Sequence, residues 1–203
     1  MRKQINLVFI TIIICTLLSC NKDEIVNSNG AMFGLLPLRS GNSWNYRRIW
    51  LDTNQTAIDT FNIAMTMYGP DTVGTFIGYG IQNFFWPFSI SLFTNESDGL
   101  YAIDNPGDLP NPSPPPIQAK AFPYPTHLGD TLRFKMLLTR TKAMYQSLTV
   151  PAGTFNNCVV YDFYEVDSLV AEAYVSPNIG VIRMWAKYGT EIQMNDLISY
   201  SIH

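Results

Sequence analysis

The sequence predicts an all-β, antiparallel domain: a curved sheet, barrel or sandwich of about eleven short strands with a central proline-rich loop. Three observations carry this. Aromatic residues make up 13% of the chain and charged residues only 14%, a balance that suits sheets with polar faces of Thr, Ser and Asn and not salt-bridged helices. Segments rich in aromatic and β-branched residues recur between Gly, Pro, Asn and Asp punctuation. Where a period is visible it is two: Phe61, Ile63, Met65 and Met67 point one way while Asn62, Ala64 and Thr66 point the other.

The N-terminus stands apart from that domain. Arg2 and Lys3 precede an apolar run over residues 5–18, about 14 residues against the roughly 20 needed to span hydrocarbon. A cleaved secretory signal over residues 1–19 is therefore expected rather than a permanent membrane helix. The run ends in Leu17-Leu18-Ser19-Cys20, which resembles the lipobox of bacterial lipoproteins. The resemblance implies that Cys20 is lipidated and becomes the first residue of the mature chain, with each buried CH₂ of its acyl chains contributing about 0.8 kcal/mol of membrane affinity. Residues 20–32 then read as the lipidated cysteine and a polar tether. Within it, Asn21-Lys22-Asp23-Glu24 resembles the lysine-plus-acidic surface-export signal of Bacteroidetes lipoproteins, which implies an outer-membrane, surface-exposed location.

The β-rich domain is expected over residues 33–203. Its strands are read at 44–51, 58–67, 73–81, 84–93, 100–103, 132–138, 144–150, 155–166, 169–175, 181–187 and 192–202. Only residues 142–147 also suit a turn of helix. Val150-Pro151-Ala152-Gly153 supplies a fixed φ followed by a residue that reverses the chain, so the segments on either side of it should pair as a hairpin. Ser176-Pro177-Asn178-Ile179-Gly180 does the same further on. Residues 105–125 hold eight of the thirteen prolines and cannot supply central strands. An echo flanks them: Pro37-Leu38-Arg39-Ser40-Gly41-Asn42-Ser43-Trp44 and Pro125-Thr126-His127-Leu128-Gly129-Asp130-Thr131-Leu132 both run from Pro through Gly into a strand. Two similar halves, 33–104 and 124–203, joined by 105–123, are one organisation this suggests; a single undivided domain is the other.

Composition narrows function mainly by exclusion. Acidic residues outnumber basic ones, 16 to 13, and the excised segment removes two of the basic ones; with no basic cluster anywhere, nucleic acid is not an expected partner. After Cys15 leaves with the signal and Cys20 takes lipid, only Cys158 remains as a free thiol. It lies in an apolar strand-like run and reads as a small buried hydrophobe. The histidines are His127 and His203, there is no Gly-x-Ser-x-Gly, and no His, Cys or Asp spacing suits a metal. Catalytic residues, metals and cofactors are accordingly not expected. Glu165 and Asp167, read as alternate residues on one strand face about 6 to 7 Å apart, are the nearest approach to a glycosidase pair, and also look like an ordinary charged strand edge.

Pro37-Leu38 with Gly41-Asn42-Ser43-Trp44-Asn45-Tyr46, then Asp98-Gly99-Leu100-Tyr101, Val150-Pro151-Ala152-Gly153-Thr154-Phe155 and Asn178-Ile179-Gly180-Val181 resemble, in order, landmarks of uncharacterised Bacteroidetes outer-membrane lipoproteins. Here Asn178 replaces the first glycine of the last landmark. The resemblance implies an extracytoplasmic β-domain and transfers no reaction, since the landmarks are residues of turns and cores. Asp71-Thr72-Val73, Asp130-Thr131-Leu132 and Asp167-Ser168-Leu169 are also similar to the O-glycosylation sequon of such bacteria; backbone capping by Asp accounts for them equally well.

The most unusual patch is Phe84, Phe85, Trp86 and Phe88, followed by Ile90, Leu92 and Phe93. Period-two alternation fails there, so rings face both sides of any strand. Either the sheet is buried on both faces, or the rings form a patch for an apolar or sugar ligand or an envelope protein. The function expected is a non-enzymatic binding or structural role at the outer membrane, with an accessory subunit of an envelope complex and a carboxylate-dependent hydrolase as the competing readings.

Overall fold

The computed structural model describes residues 34–83, 92–104, 115–134 and 136–203. Residues Phe33–His203 form one compact unit. Among the described residues there is no helix, and twelve antiparallel strands form one sheet: β1 (Ser43–Leu51), β2 (Ala57–Val73), β3 (Phe76–Gln82), β4 (Leu92–Glu96), β5 (Gly99–Asp104), β6 (Ile117–Pro123), β7 (Thr131–Phe134), β8 (Leu137–Val150), β9 (Gly153–Glu165), β10 (Ser168–Ser176), β11 (Gly180–Tyr188) and β12 (Glu191–Ser201). Their spatial order is β6-β5-β4-β3-β2-β1-β12-β11-β10-β9-β8-β7. Each strand pairs with its sequence neighbours except β6 with β7, and β1 also pairs with β12. The sheet is thus an up-and-down barrel in all but one seam, where the edge strands β6 and β7 lie side by side. Near-closure leaves few strand edges open to other chains.

Most expected strands form within a few residues, and the hairpin across Pro151 is present, with Val150 opposite Gly153. The departures have local causes. The run 132–138 is two strands, since β7 ends at Phe134 and β8 begins at Leu137. The helical turn considered for 142–147 is strand, inside β8, whose register against β9 shifts at three places, with Tyr145 at φ 56. Those bulges break the period-two pattern and so imitate another period. β6 was hidden by its prolines; it lies at a sheet edge and keeps Pro123 as its last residue, where a missing N–H breaks no ladder. β2 runs past its expected end because a register shift between Tyr68 and Asp71 carries Gly69 and Pro70 out of the pairing.

The sequence echo is repeated in the hydrogen bonds. Gly41 N donates to Met67 O and Met67 N donates to Asn42 O; likewise Gly129 N donates to Thr141 O and Thr141 N to Asp130 O. Asn42 N reaches back to Arg39 O as Asp130 N does to His127 O. Both glycines sit at left-handed φ, 90 and 85, which a Cβ would disfavour. The same knot therefore opens β1 and β7, the first strands of two six-stranded meanders. A second echo was missed: Thr72-Val73-Gly74-Thr75-Phe76 at the β2–β3 turn and Thr149-Val150, Gly153-Thr154-Phe155 at the β8–β9 turn.

Up-and-down topology gives the barrel two ends. The lower end holds the turns after β2, β4, β6, β8 and β10. The described chain also enters there, with Gly34 O accepting from Asn178 N and Leu36 O from Asn95 Nδ2 at 2.8 Å. Leu35, Leu36, Trp44, Tyr46, Met67 and Leu197 are buried in the core. Asn178, at φ 67, explains the departure from the glycine landmark: asparagine is the side chain that best tolerates this conformation.

Candidate functional site

Several sequence candidates are placed. Cys20 and the run Phe84, Phe85, Trp86 and Phe88 lie outside the described residues; Leu92 and Phe93, at the end of that run, are buried in β4. Glu165 and Asp167 do not share a strand face. Glu165 closes β9, while Val166 and Asp167, at φ 44 and 64, form the turn into β10, a two-residue connection with both central φ positive. Cys158 is buried, with its Sγ 3.7 Å from Phe155 O, and burial pushes its thiol pKa up, as suits an inert core residue. His127 is an exposed partner of Asp130. Thr72, Thr131 and Ser168 of the sequons are all exposed. Asp71 Oδ1 accepts from Thr72 N at 2.7 Å, and Asp130 Oδ2 accepts from His127 N and Thr126 Oγ1, so the capping role is real. Among the described residues no group of three His, Cys, Asp or Glu is placed to hold a metal.

Two clusters were not foreseen, because cross-strand register creates both. The first is on the outer wall. Arg140 opposes Asp162, which opposes Glu172; Arg183 opposes Asp196, which opposes Arg47. The three carboxylates are buried, yet each is matched. Arg140 Nη2 lies 2.9 Å from Asp162 Oδ2, Lys142 donates to Glu172 and lies 3.6 Å from Asp162 Oδ1, and Asp196 takes Arg183 Nε and, at 3.6 Å, Arg47. Hydrogen bonds to Glu172 and Asp196 hold the Lys142 and Arg183 pKa values up. This is a neutralised charge ladder, and its chemistry is structural.

The second cluster is on the inner face near the upper end. Alternation along β1 puts Trp44, Tyr46, Arg48 and Trp50 inward, and register sets Arg48 opposite Asn195 and Phe61, and Trp50 opposite Gln193. Arg48 Nε donates to Asn195 Oδ1 at 2.9 Å, and its guanidinium carbon lies 5.8 Å from the centre of the Phe61 ring. Burial lowers the Arg48 pKa, offset by Tyr188. Trp50 and Tyr188 reach across β12 and meet at 5.4 Å between ring centres. Asn195 is 0% and Gln193 4% exposed, yet Asn195 Nδ2 and Gln193 Nε2 have no hydrogen-bond partner. The Asn195 amide cannot simply be turned over, because Arg48 offers only donors and so fixes Oδ1 against it.

The lower core offers little room. The depression among Leu36, Trp44, Tyr46, Met65, Ile81 and Val181 holds about 10 Å³, space for about one water. No protein-family model and no curated protein matches the chain. A solved structure of a candidate lipoprotein from Parabacteroides distasonis ATCC 8503 is similar over 84% of this chain and 100% of that one, at 15% identity and a TM-score of 0.35.

Proposed function

We propose that the chain is a lipoprotein, anchored through lipid on Cys20 to the outer membrane and exposed at the cell surface, whose barrel binds a small ligand and catalyses no reaction. The observation that carries binding is the inner-face cluster. Leaving a buried donor unmatched costs about 1 to 3 kcal/mol, and two such donors beside Arg48, walled by partly exposed aromatic rings, form a surface prepared for something else to complete. The described chain enters at the lower end, so this surface lies at the end remote from that entry. The lipobox and the charged tether support the address. Phe84, Phe85, Trp86 and Phe88 keep a place in the proposal as an apolar patch on the strength of their sequence.

Mass spectrometry of the full chain, expressed in a bacterium that processes lipoproteins and released from detergent first under native and then under denaturing conditions, tests both parts. A denatured mass equal to residues 20–203 plus a diacylglycerol-based modification is expected, together with additional native mass that is lost on denaturation. An unprocessed, unmodified chain sinks the anchoring reading. A native mass equal to the denatured one argues against a carried ligand.

A further inference from the structure

Resting on the binding reading above, we propose that the upper end of the barrel takes a neutral pyranose ring, its face against Trp50 and Tyr188 and its hydroxyls shared between the buried amides of Asn195 and Gln193 and the rim carboxylates of Asp59 and Glu191.

Alternation along β2 and β12 places Asp59 on the inner face with Phe61, and Glu191 there with Gln193 and Asn195. Register sets Asp59 opposite Trp50 and Glu191 opposite Tyr188. Below the rim, Asn195 Nδ2 and Gln193 Nε2 are donors without partners. At the rim the unspent capacity is of the other kind. Asp59 and Glu191 are exposed, and Asp59 spends Oδ1 on the adjacent Thr60 N–H at 2.8 Å, which leaves Oδ2. A wall with unmatched N–H groups below and acceptors above is complementary to a group that both donates and accepts, and a hydroxyl does both. A ligand with acceptors alone would leave the rim carboxylates unused; one with donors alone would leave the amides orphaned.

Charge points the same way. Arg48 brings one positive charge to this face, and Asp59 and Glu191 bring two negative ones. An anion would enter a place already negative in sum, and a cation would meet the N–H ends of two buried amides. An uncharged ligand meets neither cost. Arg48 acts on the site by position: its Nε, donated to Asn195 Oδ1 at 2.9 Å, fixes Nδ2 as the end of that amide left for a ligand.

Aromatic rings supply the platform. Trp50 and Tyr188 meet at 5.4 Å with their planes 55° apart, an angled pair and not a closed stack. Tyr188 and Phe61 are exposed at 38% and 42%. Flat rings with one wet side suit the C–H face of a pyranose. Asp59 and Gln193 stand two strands apart, about 10 Å between backbones, a span that a sugar ring and its hydroxyls fill between the two side chains. Both amide nitrogens are buried, so a hydroxyl reaches them as the Trp50 and Tyr188 rings part, a side-chain rearrangement of a kind common on binding.

Saturation-transfer NMR and tryptophan-fluorescence titration of the full chain, in a detergent without a sugar head group, test this with methyl β-glucopyranoside, methyl β-galactopyranoside and methyl α-mannopyranoside. They are set against cyclohexanol, which keeps a ring and one hydroxyl, and glucuronate, which adds a negative charge. At least one glycoside is expected to bind, with cyclohexanol and glucuronate at least tenfold weaker. Trp50→Ala and Asn195→Leu should each weaken that glycoside at least tenfold. Asp59→Ala combined with Glu191→Ala, both at exposed positions, should do the same, and it serves if the Asn195 variant fails to fold by circular dichroism. Leu128→Ala, exposed ahead of β7, should bind like the parent. Binding of no glycoside, cyclohexanol or glucuronate bound as tightly as the best glycoside, or full affinity in the folded variants overturns the inference. If cyclohexanol binds as well as a glycoside and Trp50→Ala abolishes that binding, the barrel is still a binding protein and only the hydroxyl set is wrong. If no probe binds while the native mass carries a ligand, the sugar falls and binding stands; if no ligand is carried either, both readings fall together.

Discussion

The two ends of the barrel are built from the same strands in opposite ways. On β1, Trp44 and Tyr46 face inward at the lower end and each spends its polar atom on a backbone oxygen: Trp44 Nε1 on Ile179 O and Tyr46 OH on Val181 O, both at 2.7 Å. Two and four residues further along the same face, Arg48 and Trp50 stand where Asn195 Nδ2 and Gln193 Nε2 are left unmatched. The lower end has unmatched buried atoms too, but they are the amide oxygens of Asn95 and Asn178, and an under-satisfied oxygen is the more tolerable defect. The difference teaches that closure and binding are divided along the barrel axis: stability is concentrated below, and unspent donor capacity above.

That division can be broken most decisively at Trp44. Trp44→Ala removes a buried ring and orphans Ile179 O, and should cost about 3 to 5 kcal/mol by urea unfolding, whereas Trp50→Ala should cost about 1 kcal/mol because its ring is partly exposed. Equal losses at the two positions would abolish the contrast. Next in size is the outer wall. Lys142→Met leaves Asp162 and Glu172 facing each other across β9 and β10, a loss of about 2 kcal/mol after discounting for the half-exposed lysine. The deficit should shrink when Lys142→Met is combined with Glu172→Gln, because removing one carboxylate relieves their repulsion; strictly additive losses would mean the pair is not coupled.

Alkaline unfolding probes the closed end again. Burial raises the hydroxyl pKa of Tyr46 and of Tyr161 far above the ordinary value of 10.0. Their neutral forms thus contribute stability that is complete below pH 10 and is lost as pH rises beyond it, by about 1.4 kcal/mol per pH unit for each tyrosine. Tyr46→Phe should flatten that slope in a urea series between pH 9.5 and 11, and an unchanged slope would place the sensitivity elsewhere. The smallest effect belongs to the upper end. Replacing both Arg48 and Asn195, as Arg48→Met with Asn195→Leu, should leave stability unchanged or raise it by about 1 kcal/mol, since it removes an unmatched buried amide. A loss above 2 kcal/mol would make the cluster a structural element of the barrel.

Much of the fold was legible because its signals are local. Turn chemistry at Pro151 and around Asn178, the alternation from Phe61 to Met67, and the echo ending at Gly41 and Gly129 each act over a few residues. What failed also failed locally: bulges in β8 disguised a strand, and proline disguised β6, whose edge position only the neighbours reveal. The site was not legible. Arg48 is one of several arginines, and Asn195 and Gln193 are unremarkable amides until β1 and β12 are laid side by side.

The sequence by itself determined the class of structure, its punctuation into strands, the address expected for the chain and the absence of a recognisable catalytic motif, because all of these rest on composition and on spacings shorter than a hairpin. Only the tertiary structure decided that β1 closes against β12 in a register that sets Arg48 on Asn195, that the acidic residues of β9, β10 and β12 meet cations, and that two amide donors are buried without partners. Pairing between residues as far apart as Arg48 and Asn195 is selected by the packing of the whole sheet. A shift of one residue along either strand would carry those side chains to the opposite face.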